Sequence, residues 1–241
     1  MNVSHQNRSA PRSDLSHRPI GRRSGKVGGG AVALLAALLL PSALVAQVCM
    51  GDANVPGQFT LGGYGAFADG GNAYGVESRS NLPGAVGMGA YLGVIDLEDA
   101  DDNITSAGGH VAYELPARGA LSLCPVVGLE YDFWSGTESG VDLDYTRWAF
   151  PVAFGVGSRV GGTNEGLVLI PSARAGLIHQ RFGESASAGP LSWQREGNQS
   201  NLFLDAAATV QLGALYARGG LYRIFQDGAE TVFRVGGGLI F

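Results

Sequence analysis

Beyond residue 46 the chain contains no lysine: its one lysine is Lys26, and every later cation is an arginine. Charge of either sign is sparse, at 15% of residues. Six of the 16 basic residues but only one of the 21 acids, Asp14, precede residue 47, so 47–241 carries ten arginines against twenty acids. An acidic chain has no basic surface for a phosphate backbone, which excludes nucleic acid as a partner. No stretch reaches the ~20 apolar residues that a membrane helix requires. Cysteine is nearly absent too. Cys49 and Cys124 stand alone, without the CxxC or Cys-His spacing that holds zinc, and no metal or cofactor is expected.

Glycine is what the sequence has in abundance, at 39 residues, without the G-X-Y period of collagen. The N-terminal region has its own organisation. Arg22, Arg23 and Lys26 precede the apolar run Ala31–Leu40, and Pro41-Ser-Ala-Leu-Val-Ala46 follows. A charged region, a short apolar core and a small residue at the expected cut describe an export signal over 1–46. Residues 47–57 are then a periplasmic N-terminal segment, and 58–241 the folded domain.

From residue 58 the chain alternates with period two between turn residues, the signature of strands. In 121–133, Leu121, Leu123, Pro125, Val127, Leu129, Tyr131 and Phe133 share one face, opposite Ser122, Cys124, Gly128, Glu130 and Asp132. The segment 147–159 sets Trp148, Phe150, Val152, Phe154 and Val156 against Arg147, Ala149, Gly155 and Arg159. One face is uniformly apolar, and the other mixes glycine and alanine with charge. A soluble sandwich would carry a wet, lysine-rich polar face. A small barrel in a bilayer turns its apolar face to lipid and its small and charged residues inward.

The reading is therefore an all-β, transmembrane, antiparallel up-and-down barrel. Ten strands are expected, near 58–68, 73–82, 85–96, 104–115, 120–134, 144–160, 167–182, 201–212, 215–226 and 230–241. Eight remain the alternative, because the second segment alternates weakly. An even count puts both termini on the periplasmic side. The expected outer connections, Glu98–Asn103, Ser135–Asp142 and Gly183–Ser200, are the longer ones. The acid-rich run Asp96–Asn103 lacks the ordered spacing of a calcium loop and reads as a solvated loop.

This pattern resembles the small bacterial outer membrane barrels of the OmpA/OmpX type and the outer membrane protein β-barrel domain family. The final strand carries the resemblance: Phe233, Val235, Leu239 and Phe241 look like the C-terminal signal read by the barrel-assembly machinery. The resemblance implies a cell outer membrane location, contact with outer membrane lipid and a monomer.

Both cysteines fall at the periplasmic mouth in this topology. The periplasm is oxidising, so a Cys49–Cys124 disulfide is expected, tethering 47–57 under or inside the barrel. Glu114, Glu130, Asp132 and Asp205 are expected to share the lumen with Arg147, Arg159, Arg174, Arg218 and Arg234. Near-balanced charges favour a hydrogen-bonded plug over a wet channel. Neither His110 nor His179 has the sequence neighbours of a hydrolase triad. The expected function is non-enzymatic, structural or surface-interacting, with 183–200 as the contact for an external ligand. The alternative is a small pore for ions or small apolar molecules.

Overall fold

The computed structural model describes residues 48–51, 57–82, 85–97, 103–115, 121–138, 140–161, 166–189 and 191–241. The expected export segment and most of the acidic run Asp96–Asn103 lie outside the described residues. Ten strands form: β1 (Phe59–Ala68), β2 (Gly71–Leu82), β3 (Val86–Leu97), β4 (Ile104–Tyr113), β5 (Leu121–Glu138), β6 (Val141–Ser158), β7 (Leu167–Ala188), β8 (Leu191–Leu212), β9 (Leu215–Phe225) and β10 (Thr231–Ile240). Each pairs antiparallel with the next, and β10 returns to β1, closing the barrel. The count is ten, not eight. The weak second segment is a full strand, with Glu77, Arg79 and Asn81 turned inward and partly or wholly buried. β1 begins and β10 ends at the same rim, since Thr60 pairs with Ile240. We call this the terminal rim and the opposite one the far rim.

Alternation sorts the side chains as the pleat requires. The outward face is apolar and uncovered: Val76, Leu92, Val127, Val152, Leu177 and Leu221 are all more than half exposed. An apolar belt around the whole barrel far exceeds what a water-soluble surface tolerates, and it suits lipid. Aromatic pairs band it towards the far rim, with Tyr131 tilted against Trp148 at 4.3 Å and Phe67 edge-on to Tyr74 at 5.8 Å.

Many glycines are explained by the inward face. They make room for rings reaching across from neighbouring strands. A Cβ on Gly75 would lie 2.7 Å from the Tyr64 ring, and one on Gly93 would collide with the Tyr64 hydroxyl. A Cβ on Gly108 would meet Tyr91 at 2.6 Å, and one on Gly89 would strike the His110 ring. In a narrow lumen, aromatic side chains fit only where the facing strand has no side chain.

The hairpins depart from the expected loops. Ser135–Asp142 and Gly183–Ser200 are mostly ladder rather than loop: β7 and β8 run 22 residues each and pair out to Ala188 opposite Leu191, with Gly189 turning at φ 58°. At 3.3 Å per residue these strands are about 70 Å long, roughly twice what a tilted crossing of a bilayer uses. Both faces of the far halves carry polar residues, so the apolar alternation that marks a strand in lipid fades while the backbone pairing continues.

Candidate functional site

The lumen is closed at the terminal rim by the N-terminal segment. Val48–Met50 form a single 3₁₀ turn, wholly buried against inward residues of β5, β6 and β7. Val48 packs on Val168, Ile170 and Ile240. Cys49 and Met50 pack on Ala112, Cys124 and Val126. Cys49 is joined to Cys124 by a disulfide, with Cα atoms 6.0 Å apart.

Polar groups of the barrel wall satisfy the carbonyls of this stopper. The Met50 oxygen accepts from Arg79 Nη1 at 3.2 Å and from Arg218 Nη1 at 3.0 Å. The Gly51 oxygen accepts from Thr209 Oγ1 at 2.7 Å. Strand β6 makes space for the turn. A Cβ on Gly157 would collide with the Val48 carbonyl, and one on Gly155 would sit 3.0 Å from the Cys49 oxygen. Gly51 itself takes φ +73°, a left-handed conformation that glycine adopts without strain.

Above the stopper lie three ionic groups. Arg79 Nη2 donates to Glu77 Oε2 at 2.9 Å, and the Tyr216 hydroxyl contacts Glu77 Oε1 at 3.4 Å. Arg147 pairs with Asp132 at 2.5 Å and with Glu130 at 3.7 Å. Arg174 grips Asp205 through Nε at 2.9 Å and Nη2 at 2.7 Å, and Arg234 Nη1 approaches the same Asp205 oxygen at 3.5 Å. Low polarity makes unpaired charge costly, so such pairing is what a lumen within a membrane demands.

Of the nine lumen charges expected from sequence, Glu130, Asp132, Arg147, Arg174, Asp205 and Arg234 join ion pairs in the lumen, and Arg218 donates to the stopper. Arg159 and Glu114 stand apart from these pairs. Arg159 follows the last residue of β6, where no alternation fixes its face. Glu114 is buried just past β4, and burial pushes its carboxyl up while a Ser122 hydrogen bond pulls it down. The sequence reading missed Glu77 and Arg79 as lumen residues, together with Tyr64, Tyr91, His110 and Tyr222. The available signal was their common parity with the charges, two residues apart along each strand.

A cavity of about 260 Å³ remains among these groups. Its wall includes Tyr64, Tyr91, Tyr222, Phe203 and Ile224, and the Arg234 guanidinium lies 4.1 Å over the Tyr222 ring. On the outer face, His179 Nδ1 is 2.8 Å from Ser200 Oγ, and no carboxylate contacts that ring among the described residues. The final strand turns Phe233, Val235, Leu239 and Phe241 outward, all exposed.

No family model matches the chain, and no curated protein matches it. Its structural neighbours are outer membrane β-barrels. The N-terminal β-barrel domain of Pseudomonas aeruginosa OprF aligns at 12% identity over 77% of this chain and 98% of that one, with a TM-score of 0.37. The outer membrane protease OmpT of Escherichia coli aligns at 10% identity over 76% and 94%, with a TM-score of 0.46. Ail, the attachment invasion locus protein of Yersinia pestis, aligns at 15% identity over 77% and 99%, with a TM-score of 0.35. The likeness is one of barrel architecture.

Proposed function

We propose that this chain is a non-enzymatic barrel of the bacterial outer membrane, closed to ion flow, that carries its long hairpins outside the cell as an interaction surface. In this reading 1–46 is removed on export and the terminal rim faces the periplasm. The strand ending at Phe241 is read by the barrel-assembly machinery, and the barrel works as a monomer. The disulfide-bound turn Val48–Met50 carries the closed reading, because it fills the terminal mouth with side chains and has its carbonyls bonded by Arg79, Arg218 and Thr209.

The surface role rests on the β7–β8 hairpin. At its tip Leu191 is 75% exposed and Trp193 52%, on strands far longer than a bilayer needs. Exposed aromatic and aliphatic residues at a tip are the usual anchors of a contact with a partner. Among the described residues no carboxylate contacts the His179 ring to orient it as a base towards Ser200.

The cavity above the stopper favours the rival reading, a small pore, should the stopper move. Purified protein in a planar lipid bilayer separates the two. The closed barrel gives no unitary current, and steady steps of one size would sink it.

A further inference from the structure

Arg234 is the least committed charge in the lumen. Its side chain is 40% exposed although it sits inside a membrane barrel. Its one ion pair is the 3.5 Å approach to Asp205, whose same oxygen already takes two donors from Arg174. A guanidinium offers five donors, so most of this one is unused. Its plane is nonetheless held, 4.1 Å over the Tyr222 ring. A cation oriented by an aromatic face and short of acceptors is built to receive an acceptor.

Alongside the paired charges of the lumen, the cavity wall carries the aromatic and aliphatic side chains Tyr64, Tyr91, Phe203, Tyr222 and Ile224. Its volume, about 260 Å³, lies near the lower end for small-molecule sites, which begin at roughly 300 Å³.

Access runs from one side. The stopper closes the terminal mouth. Ala66, Ala73 and Ile224, which line the other end of the cavity, lie within two residues of the far ends of β1, β2 and β9. We infer that the lumen is a binding pocket, entered from the far rim, for a small organic carboxylate with a planar apolar body, its carboxylate taken by Arg234. The one-sided entry rests on the closed-barrel reading above.

Benzoate is the direct probe, titrated by calorimetry into the full chain folded in detergent micelles. Benzoate should saturate, and neither benzamide nor benzylamine should bind measurably. Arg234→Gln should weaken benzoate by about tenfold or more, as loss of a charge-assisted hydrogen bond does, with Arg234→Lys between the two. Arg223→Gln, on the outward face of the same hairpin, should leave it unchanged. Equal binding of benzamide, or unchanged binding in Arg234→Gln, overturns the pocket, and so does a folded barrel that never saturates. Gel mobility of unheated samples confirms that each variant is folded. Bilayer current from the same preparations is read separately. Conductance steps overturn the closed reading, whereas silence without benzoate saturation overturns only the pocket.

Discussion

Phe241 closes the barrel seam on Phe59. The two backbones exchange both hydrogen bonds, Phe241 N to Phe59 O at 2.9 Å and Phe59 N to Phe241 O at 3.2 Å. Their rings stack outside the barrel with centroids 4.9 Å apart. The last residue of the chain is therefore both the end of β10's pairing and half of an aromatic contact at the terminal rim.

These two roles of Phe241 are separable. Phe59→Ala and Phe241→Ala each remove the stack, worth about 0.5–1.5 kcal/mol beyond area burial, and should lower the urea midpoint of the purified barrel alike. Only Phe241→Ala alters the proposed assembly signal. It alone should reduce the heat-modifiable barrel recovered in outer membranes at equal expression. Equal recovery of the two variants would remove the signal reading and leave Phe241 as a packing residue.

The stopper makes a second prediction. Gly157 faces the Val48 carbonyl so closely that any Cβ there collides with it. The outward side of β6 is untouched by this substitution, because Gly157 lies on the inward parity with Ala149 and Gly155. Gly157→Val should therefore leave the barrel closed as a sheet and displace the 3₁₀ turn. A turn kept off β6 should hold Cys49 away from Cys124 during oxidative folding, so the disulfide forms less completely: free thiol should be higher than in the parent when the folded protein is titrated with a maleimide, and unitary current should appear in bilayers. A variant that stays silent in both assays would mean that the stopper is held by something other than its fit to β6.

The expected strand count and closure rested on a strong physical signal. Lipid on one side and a narrow lumen on the other force opposite chemistries onto successive residues, and 121–133 and 147–159 display this without interruption. The second strand displays it poorly because Ser78 and Ser80 occupy outward positions where lipid favours apolar residues. The far halves of β5 to β8 were hidden for a related reason. Where water wets both faces, pairing is carried by the backbone, and the side chains of 183–200 do not report it. The inward positions of the paired lumen charges are legible from parity alone. Which carboxylate each arginine meets is not, because cross-strand and cross-lumen distances depend on register and tilt. Arg174 and Asp205, 31 residues apart in sequence, are opposite partners of the β7–β8 ladder.

That pair carries the last prediction. Asp205 is 4% exposed and is the shared acceptor for Arg174 and Arg234. Asp205→Asn keeps the shape and removes the charge, leaving the Arg174 and Arg234 guanidiniums without the carboxylate they share. Breaking one partner of a buried pair costs about 3–5 kcal/mol in dry interiors, and the exposure of both arginines to the cavity reduces that here. Asp205→Asn should lower the urea midpoint of the folded barrel, followed by gel mobility without heating. Asp205→Asn combined with Arg174→Gln should recover part of the loss, because the strongest uncompensated charge goes with its partner. The coupling between the two positions is the quantity that decides. If the two losses simply add, these charges are solvated independently by lumen water, and the lumen is a wet channel whose ion pairs do not brace the wall.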